Sequence, residues 1–118
     1  MGISRRGVKR RTKFELTVEP ETMPVEGNAS AIDEKTDRET VKSINDELDR
    51  GNVWAWCMVK MTARYGNFEG VNYLGGCSYI DEKDFKRGGY YESMKEEAFN
   101  DLMRAINDAR QQIEAVRP

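Results

Sequence analysis

The chain has 118 residues, enough for one domain at most, and because 38% of them are hydrophobic and 34% charged, we expect a modest core with a heavily charged exterior. It contains no histidine, which excludes Ser-His-Asp and Cys-His nucleophile systems and histidine-containing zinc motifs. There is no run of 18 apolar residues and no glycine-rich phosphate loop, so we expect a cytoplasmic protein that is not an enzyme, contacts no membrane and carries no cofactor or metal.

Charge is distributed unevenly along the chain. The net charge is −2, but residues 1–13 hold six cations and no acid, so the rest carries −8. Residues 1–12 show no hydrophobic periodicity and predict a disordered basic tail, followed by a single domain over residues 13–118. Cations in such a tail are suited to nucleic-acid phosphates, whereas an acidic body argues against a duplex-binding groove. The candidate nucleic-acid contacts are Arg5, Arg6, Lys9, Arg10 and Arg11.

The first predicted elements of the domain are a strand and a loop. Phe14, Leu16 and Val18 alternate with polar residues, which predicts a half-buried strand ended by Pro20. Residues 22–35 contain proline, glycine and scattered polar groups and predict a loop. A loop of this length in a small domain is either mobile or functional.

A helix of about four turns is predicted next. Thr36 is followed three residues later by Glu39, the spacing of a capping box. Gly51 lies where a C-terminal cap belongs. Between them, a thin apolar stripe is formed by Val41, Ile44 and Leu48.

Residues 52–65 give the strongest strand signal in the chain. Gly66-Asn67 then has the composition of a two-residue hairpin turn, so residues 68–79 are expected to return beside the first strand. The turn sets the register, because it pairs the residues on either side of it. The opposed pairs in that register are Arg64 with Glu69, Thr62 with Val71 and Lys60 with Tyr73.

The last predicted element is a helix of roughly 23 residues that follows a short helical turn at 81–85. Ser93 and Glu96 form a second capping box, and apolar residues continue at helical spacing as far as Val116. Such a helix is longer than a three-stranded sheet needs. We therefore expect its end to project or to meet another subunit, as in a homodimer.

The predicted order of elements is β-α-β-β-α, which indicates the α+β class. A right-handed crossover from the first strand to the second gives a three-stranded antiparallel sheet with the third strand in the middle and two helices on one face.

The two faces of the predicted hairpin differ in chemistry. One is small and apolar, whereas the other carries aromatic and cationic side chains, which suit a partner protein or unstacked bases. A third alternative is that the 22–35 loop or a second subunit covers this face. The candidate partner-binding residues are Trp54, Trp56, Lys60, Arg64, Tyr73 and Tyr79.

The cysteines and acidic clusters predict no reaction. In the hairpin register Cys57 and Cys77 fall on opposite faces, so both thiols are expected to be free. Cys77 follows two glycines, but a structural role is favoured over a nucleophile because the chain has no histidine to activate it. Acidic residues at 33–37 and 81–84 are typical of helix N-termini and predict no metal site.

The segments 51–56, 73–79 and 89–95 carry a resemblance. Their residues read Gly-Asn-Val-Trp-Ala-Trp, Tyr-Leu-Gly-Gly-Cys-Ser-Tyr and Gly-Tyr-Tyr followed by Met94-Lys95. Over roughly residues 14–105 the chain resembles short proteins encoded by bacteriophages and other mobile elements. The resemblance implies no reaction and no site residue. It implies the host cytoplasm and a class rich in inhibitors of host defence, such as anti-CRISPR proteins.

The expected function is therefore a small non-catalytic protein-binding module, in the form of a phage-encoded inhibitor that binds a host protein or protein complex. The alternative is a single-stranded nucleic-acid-binding protein that uses the aromatic sheet face and the basic tail.

Overall fold

A computed structural model describes residues 3–29 and 33–116. This part of the chain contains four α-helices, three strands and one 3-10 turn, where the sequence predicted two principal helices and a short helical turn. In chain order they are α1 (Arg5–Arg11), β1 (Lys13–Pro20), α2 (Glu34–Asp49), the 3-10 turn (Val53–Ala55), β2 (Cys57–Tyr65), β3 (Phe68–Cys77), α3 (Glu82–Arg87) and α4 (Tyr90–Ala115).

The three strands form one antiparallel sheet, which confirms the α+β class. Their order is β1-β2-β3, so the predicted order with the third strand in the middle is wrong. At one end of the β1–β2 pair the Glu21 N–H donates to the Trp56 carbonyl (3.3 Å), and at the other Glu15 meets Arg64 (3.0 Å). The two strands run antiparallel as neighbours, and the crossover rule governs parallel strands only.

The predicted register of the β2–β3 hairpin is confirmed. The Arg64 guanidinium lies 2.8 Å from the Glu69 carboxylate, and the Lys60 ammonium lies 5.7 Å from the centre of the Tyr73 ring. Gly66 has a φ of 59°, as in the first central position of a type II′ turn.

The chain divides into two compact units. Unit 1 consists of Met1–Leu16, Met61–Asn72 and Glu92–Pro118, and unit 2 consists of Thr17–Lys60 and Tyr73–Tyr91.

In unit 1, α4 approaches β3 closely. A Cβ atom on Gly70 would lie within 3.0 Å of backbone atoms of Ala98 and Leu102, so only glycine fits there. Beside it the Val71 N–H donates to the Asp101 carboxylate (2.9 Å). The buried residues of α4 are Met94, Ala98, Phe99, Leu102, Met103 and Ile106.

Helix α1 also belongs to unit 1, and the prediction of a disordered tail over residues 1–12 is wrong for its helical part. Ser4 caps the helix, because its hydroxyl accepts from a backbone N–H in the first turn. Val8 is 4% exposed, and cations of α1 lie over the ring of the fully buried Phe99. The segment has one apolar residue to bury, too few to give a periodic pattern. Residues 1–2 lie outside the described part of the chain.

Unit 2 has a hydrophobic cluster that joins the 22–29 segment, α2 and the 3-10 turn. Asp33 caps α2 by accepting from the Thr36 N–H (2.7 Å), so the helix begins before the predicted capping box. Gly51 follows the helix with a φ of 87°, as expected of a C-terminal glycine. The cluster consists of Val25, Ile44, Ala55 and Trp56, with Ala29, Val41 and Leu48 packed against it.

Candidate functional site

Trp56 is buried inside unit 2, which corrects the prediction that it binds a partner. It is 4% exposed, and its indole N–H donates to the Met23 carbonyl at 2.7 Å. Val25 packs in the same cluster. Of the three alternatives for the aromatic face, coverage by the loop therefore applies at this position.

Trp54 and Tyr79 are half-buried around a third aromatic ring that was not among the predicted site residues. Both pack on Phe85, with ring centres 5.7 and 5.0 Å away, and the Tyr79 N–H donates to the Trp54 carbonyl (2.8 Å). Phe85 is fully buried. The signal that could have found it is a single aromatic residue in an otherwise charged helical turn.

Tyr73 and Lys60 are the remainder of the predicted aromatic face in unit 2, with Tyr73 exposed and Lys60 half-buried. Tyr73 is 52% exposed, and the ammonium of Lys60 lies 5.7 Å from its ring centre. One ring with a cation on it is a small surface compared with the set of open rings that the sequence predicted.

Arg64 is held within unit 1. Its guanidinium donates to Glu69 (2.8 Å) and Glu15 (3.0 Å), and these hydrogen bonds raise its pKa. Both partners lie on the neighbouring strands, so Arg64 ties β1, β2 and β3 together.

The two thiols are free and buried. Burial raises the pKa of Cys57 to about 12, and the neighbouring Cys77 and Glu21 add to the rise. Burial also raises the pKa of Cys77. A thiol that stays protonated at neutral pH supplies no thiolate nucleophile, so these side chains act as small packing groups.

Glu21 holds the start of the loop against β3. Its carboxylate accepts from the backbone N–H groups of Gly76 (2.7 Å), Thr22 (2.9 Å) and Met23 (3.4 Å). The hydrogen bond from Gly76 contributes most to the lowered pKa of this carboxyl. Gly76 has a φ of 63°, a conformation that favours glycine.

A cleft of about 390 Å³ beside α2 in unit 2 is lined by polar side chains, but its carboxylates are already engaged. Glu47 accepts from Arg50 and from Asn52, and Asp84 accepts from the Ile80 N–H (3.0 Å). Among the described residues, no group of three or more Cys, Asp or Glu side chains is placed to hold a metal ion.

Two of the five cations of α1 are used in docking. Arg5 donates to Glu96 (3.0 Å) and Asn100 (2.6 Å), and Lys9 donates to the other oxygen of Glu96 (3.1 Å). These contacts, with that of Lys9 the largest, lower the pKa of Glu96. Arg5 and Lys9 therefore fix α1 to α4.

The remaining cations of α1 face solvent. Arg6, Arg10 and Arg11 are exposed, as is Lys13 directly after the helix. None of the four side chains has a hydrogen bond, ion pair or ring contact with any residue that the structure describes.

An apolar groove of about 430 Å³ lies in unit 1 along the C-terminal part of α4, and we call it the α4 groove. Two of its walls are Ile3 and Ile113, which are 44% and 61% exposed. Val116, one turn beyond Ile113, is 81% exposed. The groove is lined by Ile3, Phe68, Ile106, Ala109, Arg110, Ile113 and Glu114.

Comparison with family models, with curated proteins and with solved structures finds no match to this chain. Within residues 3–29 and 33–116, no helix is both long and apolar enough to cross a membrane. The two surfaces of the described structure that we consider for function are the α4 groove and the exposed, unpaired cations of α1.

Proposed function

We propose that the chain is a non-catalytic protein-binding module that holds an amphipathic helix of a partner protein in the α4 groove. One observation carries the proposal. Within the described residues of unit 1, the large hydrophobic side chains with substantial exposure are Ile3, Ile113 and Val116. They all lie at the groove or one turn beyond it.

The spacing along α4 favours a helical occupant. Ile106, Ala109, Ile113 and Val116 are separated by three, four and three residues, the spacing of a coiled-coil seam. Ile106 is 4% exposed and Val116 is 81% exposed, so the stripe begins in the core and continues into solvent. A helix presenting apolar side chains at the same spacing would extend that packing.

The rim of the groove is electrically neutral. Arg110 donates to Glu114 one turn further along α4 (3.1 Å), which leaves neither charge in need of a partner. Apolar burial then supplies the affinity, because few buried charges have to be desolvated.

The resemblance to small phage proteins supports a narrower form of the proposal, an inhibitor that binds a host-defence complex. The alternative of single-stranded nucleic-acid binding on the sheet has less support, because Trp56 is buried and Trp54 and Tyr79 pack on Phe85.

The proposal is tested with two matched double variants in affinity capture from host lysate treated with nuclease. Ile113→Ser with Val116→Ser removes the exposed part of the stripe. Ile80→Ser with Tyr90→Ser removes two side chains that are 74% and 57% exposed in unit 2. We expect the native chain and the unit 2 variant to retain one stoichiometric protein, and the α4 variant to lose it.

Two results would contradict the proposal. One is retention of the partner by the α4 variant; the other is equal loss from both variants. Light scattering identifies a third case: if the native chain has twice its sequence mass and the α4 variant does not, the helix in the groove is a second copy of α4 and the chain is a homodimer.

A further inference from the structure

The cations of α1 fall into two sets with different surroundings. Arg5 and Lys9 face α4 and share the carboxylate of Glu96. Arg6 and Arg10, one helical turn apart, have no partner within the described part of the chain. Most of the described arginines outside α1 do have a partner. Arg50, Arg64, Arg104 and Arg110 each pair with a carboxylate and Arg87 donates to a carbonyl, whereas Arg38 has no partner among the described residues.

The unpaired set is presented on an ordered element. Val8 is buried and Arg5 donates to two side chains of α4, so the helix is fixed on its inner side. Side chains that extend from a fixed helix lose less conformational freedom on binding than those of a disordered tail.

The α1 helix carries uncompensated repulsion. It has five cations and no acid, and Arg6 and Arg10 stand at i and i+4, where like charges destabilise a helix. An external polyanion would relieve that repulsion. Lys9, Arg10 and Arg11 lie in the last turn, where the negative end of the helix dipole stabilises positive charges without neutralising them.

We propose that Arg6, Arg10, Arg11 and Lys13 form a sequence-independent contact surface for the phosphodiester backbone of nucleic acid. Three of the four are arginines, whose planar guanidinium groups donate two parallel hydrogen bonds to phosphate oxygens. Arg6 and Arg10 are separated by about 6 Å along the helix, a spacing suited to successive charges of a polymer.

Two other anionic partners fit less well. The one apolar side chain within α1, Val8, is packed into unit 1, so the helix has no apolar face to insert between lipids. An acidic protein surface presents carboxylates at irregular positions, whereas a phosphate backbone presents charge at a fixed repeat along its length.

Fluorescence anisotropy tests the site with a labelled duplex of about 20 base pairs and a single strand of the same length, between about 50 and 200 mM salt. Four contacts give a slope of log K against log salt of about −3.6 for the duplex and about −2.8 for the single strand. Arg6→Gln with Arg10→Gln should reduce the duplex slope to about −1.8 and the affinity at 0.1 M salt roughly 60-fold.

The control is Arg50→Gln with Arg104→Gln, which removes the same charge from two arginines that are 68% and 66% exposed. Its slope should match that of the native chain. Arg6→Lys with Arg10→Lys keeps both charges and should keep the slope as well. Because the Arg6 and Arg10 side chains form no hydrogen bond, ion pair or ring contact with a described residue and repel each other, the glutamine variant should melt at or slightly above the native temperature. The lysine variant isolates the charge effect if it does not.

Several outcomes would overturn the proposal. They are no binding by the native chain at about 50 mM salt, a slope that the glutamine variant leaves unchanged, and an equal loss of affinity in the control. Poly-glutamate that binds as tightly as the duplex at equal charge would assign the surface to an acidic protein. Preferential binding to phosphatidylcholine–phosphatidylserine vesicles would assign it to a membrane.

Discussion

Trp56 occupies the interior of unit 2 although the alternation of β2 places its side chain on the open face. The reason lies in the loop that covers this face. Trp56 follows the 3-10 turn at residues 53–55 with an extended backbone (φ −156°, ψ 103°), so it keeps the two-residue alternation with Cys57 at the start of β2. The loop from β1 then supplies both an apolar neighbour, Val25, and an acceptor for the indole, the carbonyl of Met23.

We predict that Trp56→Ala lowers the free energy of unfolding by about 3–5 kcal/mol, because it leaves a cavity among buried side chains and an unpaired carbonyl. Trp56→Phe keeps an aromatic ring but loses the hydrogen bond to Met23, and should cost about 1–3 kcal/mol. Urea denaturation measures both values.

Tyr73→Ser is the matched control, since Tyr73 is an aromatic residue that is 52% exposed. It should change the free energy of unfolding by less than about 0.5 kcal/mol. If Trp56→Ala were as mild as Tyr73→Ser, the indole would be exposed. The aromatic sheet face that the sequence predicts would then be a candidate binding surface.

At the scale of elements, α4 and β3 depend on one glycine. The Gly70 Cα lies against the backbone of α4 at Ala98 and Leu102, where no side chain has room. We predict that Gly70→Ala costs at least about 1–3 kcal/mol, because helix or strand must move away and loosen the packing of both. Thermal unfolding followed by circular dichroism gives the value.

Gly89→Ala provides the comparison, just before α4 begins. A Cβ atom there would meet no atom within 4 Å. The substitution should be neutral or slightly stabilising, since it restricts the unfolded chain. Equal effects of Gly70→Ala and Gly89→Ala would contradict the close approach of α4 to β3.

Elements with a periodic pattern were predictable from the sequence, and those defined by long-range contacts were not. The hairpin register followed from Gly66-Asn67 and the alternation around it, as the Arg64–Glu69 pair confirms. Strand order was not predictable in this way, because it depends on the direction of β1 relative to β2, and the sequence of residues 21–33 carries no pattern that sets it. Helix α1 was missed because its stability comes from Val8 and from docking, not from an amphipathic stripe.

The candidate site shows the same division. The length of α4 predicted a projecting C-terminal end, and the exposed Ile113 and Val116 lie there. The aromatic face was predicted from alternation alone. Alternation does not show that a loop covers Trp56 or that Trp54 and Tyr79 pack on Phe85. The division of the α1 cations into paired and free sets requires the position of Glu96, which is about 90 residues away in the chain.

At the scale of the whole molecule, net positive charge is concentrated in the N-terminal segment, whereas the rest of the chain is acidic. The chain carries −2 in total, and α1 alone holds five cations. Packing of α1 against α4 within unit 1 therefore offsets part of the acidity of α4 through Glu96. The ion pairs are about half exposed, so the apolar contacts of Val8 and Phe99 contribute more than the charges do.

Deletion of residues 1–12 should accordingly lower the melting temperature, where a disordered tail would leave it unchanged. Removing α1 uncovers the Phe99 ring and the site of Val8, a loss of about 2 kcal/mol from apolar burial and the cation–π contact of Arg5. For a domain of this size that is about 8 °C in calorimetry. Val8→Asp in the full chain should reproduce most of the fall. Arg6→Gln with Arg10→Gln should not, because those side chains form no hydrogen bond, ion pair or ring contact in the described structure. An unchanged melting temperature after the deletion would mean that α1 is not docked in solution, and the phosphate contacts would then come from a flexible tail.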